Sequence, residues 1–137
     1  MTSPTPLSST APQPTNPTTT PAAALDQIKQ EYRASLQDLT FNSKPIITNL
    51  TIIAQENVNA AQAIVGAIEE QMRDANPKHL LPLLYLTDSI LKNVSGPYPA
   101  IFAPNIVNTF SSSYARVDND DKARFLRVLQ TWRSHPG

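Results

Sequence analysis

The chain has 137 residues, eleven cationic and eleven acidic side chains for a formal net charge of zero, and no cysteine. Balanced charge argues against a partner held by bulk electrostatics, such as duplex nucleic acid or an anionic membrane, and the missing thiols exclude disulfides, thiolate metal sites and cysteine nucleophiles. No apolar run approaches the roughly 18 to 20 residues of a membrane span, and the N-terminus lacks a signal peptide's basic and apolar regions, so the sequence reads as soluble and intracellular.

Residues 1–25 hold six of the thirteen prolines, seven threonines and no charged side chain. With too little apolar surface to offset the entropy of ordering, residues 1–24 are read as a disordered Pro/Thr-rich tail. Residues 25–137 carry every formal charge and are expected to form one domain with one core.

Helical periodicity begins near Ala22, with Leu25, Ile28, Tyr32, Leu36 and Leu39 recurring at three or four. Asn42 or Ser43 can cap a second helix whose first turn tolerates Pro45, since the missing N–H has no intrahelical partner there. Ile46, Ile47, Leu50, Ile53 and Ala54 form its apolar face. A third helix spans residues 60–75, with Ile64, Ala67, Ile68 and Met72 inside and Glu69, Glu70, Arg73 and Asp74 in water.

Asn76-Pro77 opens a fourth helix that runs through Val94 and stops at Gly96-Pro97. Tyr98 to Phe102 reads as one short helical turn between Pro97 and Pro104, and a sixth segment at 105–117 carries Ile106, Val107, Phe110 and Tyr114. Asp118 caps a seventh helix, with Asp120 and Asp121 favourable in its first turn. Phe125, Leu126, Val128, Leu129 and Trp132 are expected inside it. Short connections and the absence of period-2 alternation predict an all-α fold of stacked helical hairpins, a small α-solenoid.

Nothing in the chain resembles catalytic machinery. The three glycines, Gly66, Gly96 and Gly137, cannot form a phosphate loop, and His79 and His135 match no metal spacing. No enzyme activity, cofactor or metal is expected.

The fourth helix is the informative stretch. Its aliphatic residues cover most of the circumference, so it is expected to be the most buried helix, yet Leu81, Tyr85, Asp88, Ser89 and Lys92 fall on one stripe with Asn93 at its edge. Two readings stand together. Asp88 and Lys92 form an ordinary i, i+4 ion pair beside a core tyrosine, or the stripe is a groove floor that grips an extended peptide. Spacing alone does not choose between them.

Three blocks taken in order carry a resemblance: Phe41-Asn42-Ser43-Lys44-Pro45-Ile46-Ile47 with Leu50-Thr51-Ile52-Ile53-Ala54, then Tyr85-Leu86-Thr87-Asp88-Ser89-Ile90-Leu91-Lys92-Asn93, then Arg127-Val128-Leu129-Gln130-Thr131-Trp132. Over residues 25–137 the chain resembles the CTD-interacting domain, which binds the heptad-repeat tail of the largest RNA polymerase II subunit. It looks most like the subgroup in the cleavage and polyadenylation factor IA subunit. The resemblance implies a right-handed superhelix of the VHS and ENTH type with seven to eight helices. The eighth is read as missing or vestigial, consistent with a domain excised from a larger protein.

By that resemblance the ligand lies across the second, fourth and seventh helices, its Ser-Pro-Thr-Ser portion in a β-turn. Asp88 accepts the heptad tyrosine's hydroxyl, Tyr85 walls its apolar pocket, and Ser89 and Asn93 bond the turn's backbone, with Lys92 counted in the peptide-binding set. Ile90 is assigned to packing. Arg127, five residues before Trp132, receives a phosphate on the second-position serine, and Asn42 and Lys44 line the other end. The implied partners are the phosphorylated polymerase tail and, through regions outside this chain, other cleavage and polyadenylation subunits, in the nucleus. The alternative is a trafficking adaptor of the VHS or ENTH type that binds sorting peptides or phosphoinositides. That role ordinarily needs a basic pocket or an amphipathic N-terminal helix, which the uncharged tail does not supply. RNA binding is disfavoured by the balanced charge.

Overall fold

In a computed structural model the described residues are 21–134, so the expected disordered tail falls mostly outside them. They form six α-helices: α1 (Pro21–Leu36), α2 (Lys44–Glu56), α3 (Ala61–Asp74), α4 (Leu80–Ser89), α5 (Tyr98–Arg116) and α6 (Asn119–Ser134). No strand occurs among the described residues. The helix α1 includes residues 21–24, ahead of the domain start expected at 25.

The helix starts follow local chemistry. Ser43, rather than Asn42, caps α2, its hydroxyl accepting the Ile46 N–H at 3.4 Å with Pro45 in the first turn. Asn76 Oδ1 accepts the Lys78 N–H at 3.0 Å ahead of a short 3₁₀ turn, Pro77–His79, that leads into α4. At α6 the Asp118 carboxylate accepts the Asp121 N–H at 2.9 Å.

Two expected segments are one. Tyr98 to Phe102 and residues 105–117 form the single helix α5, with Pro104 inside it. A proline removes one i to i−4 bond, but Ala100, whose carbonyl loses that partner, and Pro104 are both exposed residues, so the loss falls on the solvent side of the helix. The helix is held through by its inner face, where Tyr98 and Phe102 are buried and Ile106 and Phe110 pack on the core. Val107, on the other face, is 74% exposed. Leu126, expected inside α6, is 45% exposed, while Phe125 and Val128 are buried.

Packing follows a rule of alternation: α1 lies on α3 and α3 on α5, while α2 lies on α4 and α4 on α6. The result is a two-layered helical superhelix whose odd layer meets its even layer along α3 and α4. Two buried tyrosines of the odd layer, on α1 and α5, tie it to α2 of the even layer. The Tyr32 hydroxyl donates to the Leu50 carbonyl at 2.9 Å and that of Tyr98 to the Ala54 carbonyl at 2.6 Å. Burial pushes both phenols up, Tyr98 to about 12.

The acidic residues of α3, expected in water, are largely engaged. Lys29 and Arg33 of α1 hold Glu70 at 2.7 and 3.2 Å, and Arg33 also reaches Asp74 and Gln71. The hydrogen bond from Lys29 holds the Glu70 carboxyl below its ordinary value. Glu69 receives Asn105 of α5 on Oε1, while its Oε2 is buried without a partner, and burial pushes that carboxyl up. Arg116 of α5 caps the end of α3 by donating to the carbonyls of Met72, Arg73 and Ala75.

Candidate functional site

The helix α4 crosses the middle of the even layer, and Leu80, Leu81, Leu83, Leu84, Leu86 and Thr87 are all buried along it. On the same helix Tyr85, Asp88 and Ser89 are only part-buried, and beyond it Lys92 and Asn93 are exposed. The stripe therefore stays open to solvent along the most enclosed helix of the domain. The last turn, Ile90–Val94, is a π-helix closed by the Ser95 N–H on the Ile90 carbonyl at 3.0 Å. Ser95 and Gly96 follow at φ 58 and 49°, the left-handed region that ends the helix.

Asp88 is fixed from two directions. The Trp132 indole N–H of α6 donates to Asp88 Oδ1 at 2.8 Å, and the Lys92 ammonium reaches the same oxygen at 2.8 Å. Lys92 also donates to Thr131 Oγ1 of α6 at 2.8 Å. Both donors thus fall on Oδ1, and Oδ2 is left to accept from a ligand. The Asp88 side chain keeps 21% of its surface exposed, enough for an approaching hydroxyl and little enough to strengthen the bond it makes.

A second set of bonds joins α4 to α2. The Thr51 hydroxyl donates to the Ile47 carbonyl at 2.7 Å, which spends its one proton, so the Ser89 hydroxyl, 2.8 Å away, donates to Thr51. Asn93 Nδ2 donates in turn to Ser89 Oγ at 3.2 Å. The line Asn93, Ser89, Thr51, Ile47 leaves Ser89 as an acceptor and leaves Asn93 with its carbonyl oxygen and one N–H.

Five of the sequence-derived residues, Tyr85, Asp88, Ser89, Lys92 and Asn93, therefore share one face. The other three flank it. Lys44 shares a face of α2 with Thr51, two turns or about 10 Å along the axis, and Asn42 precedes it as an exposed residue outside the cap. Arg127 stands one turn before Thr131 on α6, exposed. Lys44 and Arg127 make no ion pair among the described residues, so both cations are available to a ligand. Three participants were missed by sequence reasoning: Trp132, Thr131 and Thr51. All lie inside the quoted motifs, but their partners are 38 to 44 residues away, and spacing along one helix cannot reveal such contacts. Beyond Trp132 an apolar cleft of about 200 Å³ opens, lined chiefly by Leu91, Pro99, Phe102 and Ile106.

Comparison with known proteins identifies the fold. The CID domain family matches residues 30–136. The chain belongs to the CID family. Protein PCF11 of Saccharomyces cerevisiae is 40% identical over 105 residues, covering 77% of this chain and 17% of that protein. SR-related and CTD-associated factor 8 of Homo sapiens is 31% identical over 100 residues, covering 68% of this chain and 8% of that protein. A solved structure described as the crystal structure of the rpr of pcf11 superposes with a TM-score of 0.73 at 39% identity, covering 76% of this chain and 79% of that one. The CID fold is thus present, all-helical and superhelical, while the chain spans less than a fifth of the length of the curated relatives it matches.

Proposed function

We propose that this domain is a non-catalytic reader of the heptad-repeat C-terminal tail of RNA polymerase II, acting in the nucleus to couple mRNA 3′-end cleavage, polyadenylation and termination to elongation. The observation that carries the reading is the open stripe on α4, flanked by α2 and α6. A relative whose name marks it as CTD-associated and the likeness to PCF11 support it. The ligand lies across α2, α4 and α6, its tyrosine hydroxyl donating to Asp88 Oδ2 and its ring against Tyr85. The backbone of its turn meets Asn93 and the acceptor side of Ser89. Arg127 attracts a phosphate on the second-position serine, which adds about −1.5 to −2 charge and three acceptor oxygens, and Asn42 and Lys44 close the far end. In the wider protein, other cleavage and polyadenylation subunits bind segments outside this chain.

A shallow face with one or two charge-assisted contacts supports affinity on the order of micromolar to sub-millimolar, and a repetitive ligand compensates through effective concentration. Fluorescence titration with unmodified and second-serine-phosphorylated two-heptad peptides, alongside anionic liposomes and single-stranded RNA, tests the reading. Peptide binding that tightens with phosphate is the expected result. Capture by liposomes or RNA with no peptide binding at millimolar concentration overturns it.

A further inference from the structure

We propose that Trp132 is a positioning residue for this site, and that with Lys92 it makes Asp88 a reader of neutral hydroxyls; this rests on the peptide-binding reading above. The indole N–H and the ammonium converge on Asp88 Oδ1 at 2.8 Å each. A carboxylate oxygen has two lone-pair sites, so these donors fill Oδ1 and stop the carboxylate from rotating. Oδ2 is consequently presented in one orientation, by one bond from a separate helix and one from the next turn of its own.

Charge follows the same geometry. Because Lys92 sits on the carboxylate, Asp88 presents an acceptor whose charge is already matched by its neighbour. An incoming lysine or arginine gains little Coulomb attraction and meets like charge from Lys92. A hydroxyl gains a well-aimed, charge-assisted acceptor without that repulsion. The pair therefore favours a phenol or alcohol over a cation.

Trp132 is suited to this task by its surroundings. Its ring meets Phe110 edge-on at 6.1 Å, and Phe110 packs on Phe125 at 5.4 Å, so the indole is anchored by the aromatic core of α5 and α6. The position of Oδ2 is thereby set by packing between helices, whereas an i, i+4 pair on one exposed helix contributes only a few tenths of a kcal/mol to holding it.

The test uses Trp132→Phe, which keeps an aromatic ring and removes the N–H, with two heptad peptides that differ only by tyrosine or phenylalanine at the first position. The wild-type domain is expected to prefer the tyrosine peptide. Trp132→Phe should bind it about three- to tenfold more weakly and should lose most of the tyrosine preference, while the phenylalanine peptide binds nearly as before. A folded variant with an unchanged tyrosine-to-phenylalanine ratio overturns the inference and leaves peptide reading intact. Failure of the wild-type domain to bind either peptide removes the peptide-binding reading itself. Because the variant also alters core packing, the wild-type indole N–H resonance gives an independent readout, and Trp132 is the sole tryptophan. That resonance should move toward the free-indole position in Asp88→Asn, and a signal that ignores this substitution overturns the inference as well.

Discussion

The odd and even layers use their polar side chains in opposite ways. Between α1 and α3, Lys29 and Arg33 close on Glu70, Asp74 and Gln71, and at the end of α3 the Arg116 guanidinium takes three carbonyls. Donors and acceptors there are spent on each other. Among α2, α4 and α6 the bonds are as short, yet they leave a remainder: Oδ2 of Asp88, one acceptor site on Ser89, the carbonyl oxygen and one N–H of Asn93, and the cations Lys44 and Arg127, which make no ion pair among the described residues. A bonded polar group is therefore a weak guide to function. The valences left after bonding, and the side they face, separate a helix clamp from a berth.

That contrast can be broken by substitution. Asp88→Ala should have the largest effect, weakening peptide binding at least tenfold, phosphorylated or not, as read by fluorescence titration. It also leaves Trp132 and Lys92 without their acceptor, so the domain should lose about 1 kcal/mol of stability. Loss of fold with no separate effect on binding would return Asp88 to a structural role.

Arg33→Ala should do the reverse. It removes three contacts of the clamp and should cost about 1 kcal/mol in urea unfolding, since its partners are partly solvated, while peptide affinity stays unchanged. A matching loss of affinity would mean that the layers are not independent. Arg127→Ala should reduce the preference for phosphorylated over unmodified peptide by about fivefold with little effect on the unmodified one. An unaltered ratio removes Arg127 from the site.

The smallest effect sharpens the comparison inside the odd layer, where Glu69 Oε2 is the one buried side-chain oxygen without a partner among the described residues. Burial raises its carboxyl in the folded state. Ionisation therefore penalises folding as the pH rises above the ordinary carboxyl value, and the penalty is complete above the raised one. Glu69→Gln should stabilise the domain by about 0.5 kcal/mol at neutral pH, a figure discounted for partial exposure, and the gain should vanish in acid. An equal gain at both pH values would assign it to packing.

Much of this was legible before any coordinates. Apolar spacing marked the helices because a half-buried helix must keep one face dry, and the stripe on α4 stood out because polar residues on an aliphatic helix are conspicuous. The division of α5 at Pro104 misled because proline's cost depends on whether the orphaned carbonyl meets water. Glu70 and Asp74 read as solvated because their partners lie on α1, and Leu126 read as buried because one extra leucine cannot be distinguished from a core one by period alone. In the site, residue types and face were readable, whereas the convergence of Trp132 and Lys92 on one oxygen depends on how α6 lies against α4.

The alternation of layers has a mechanical consequence. The three helices that meet at the proposed berth are never consecutive: α1 and α3 flank α2 in the chain, and α5 stands between α4 and α6. A strand of peptide laid across them would act as a splint, joining parts of the polypeptide that no single loop connects. The grip of such a guest should be felt as slower hydrogen exchange in distant stretches of backbone, well beyond the residues it touches.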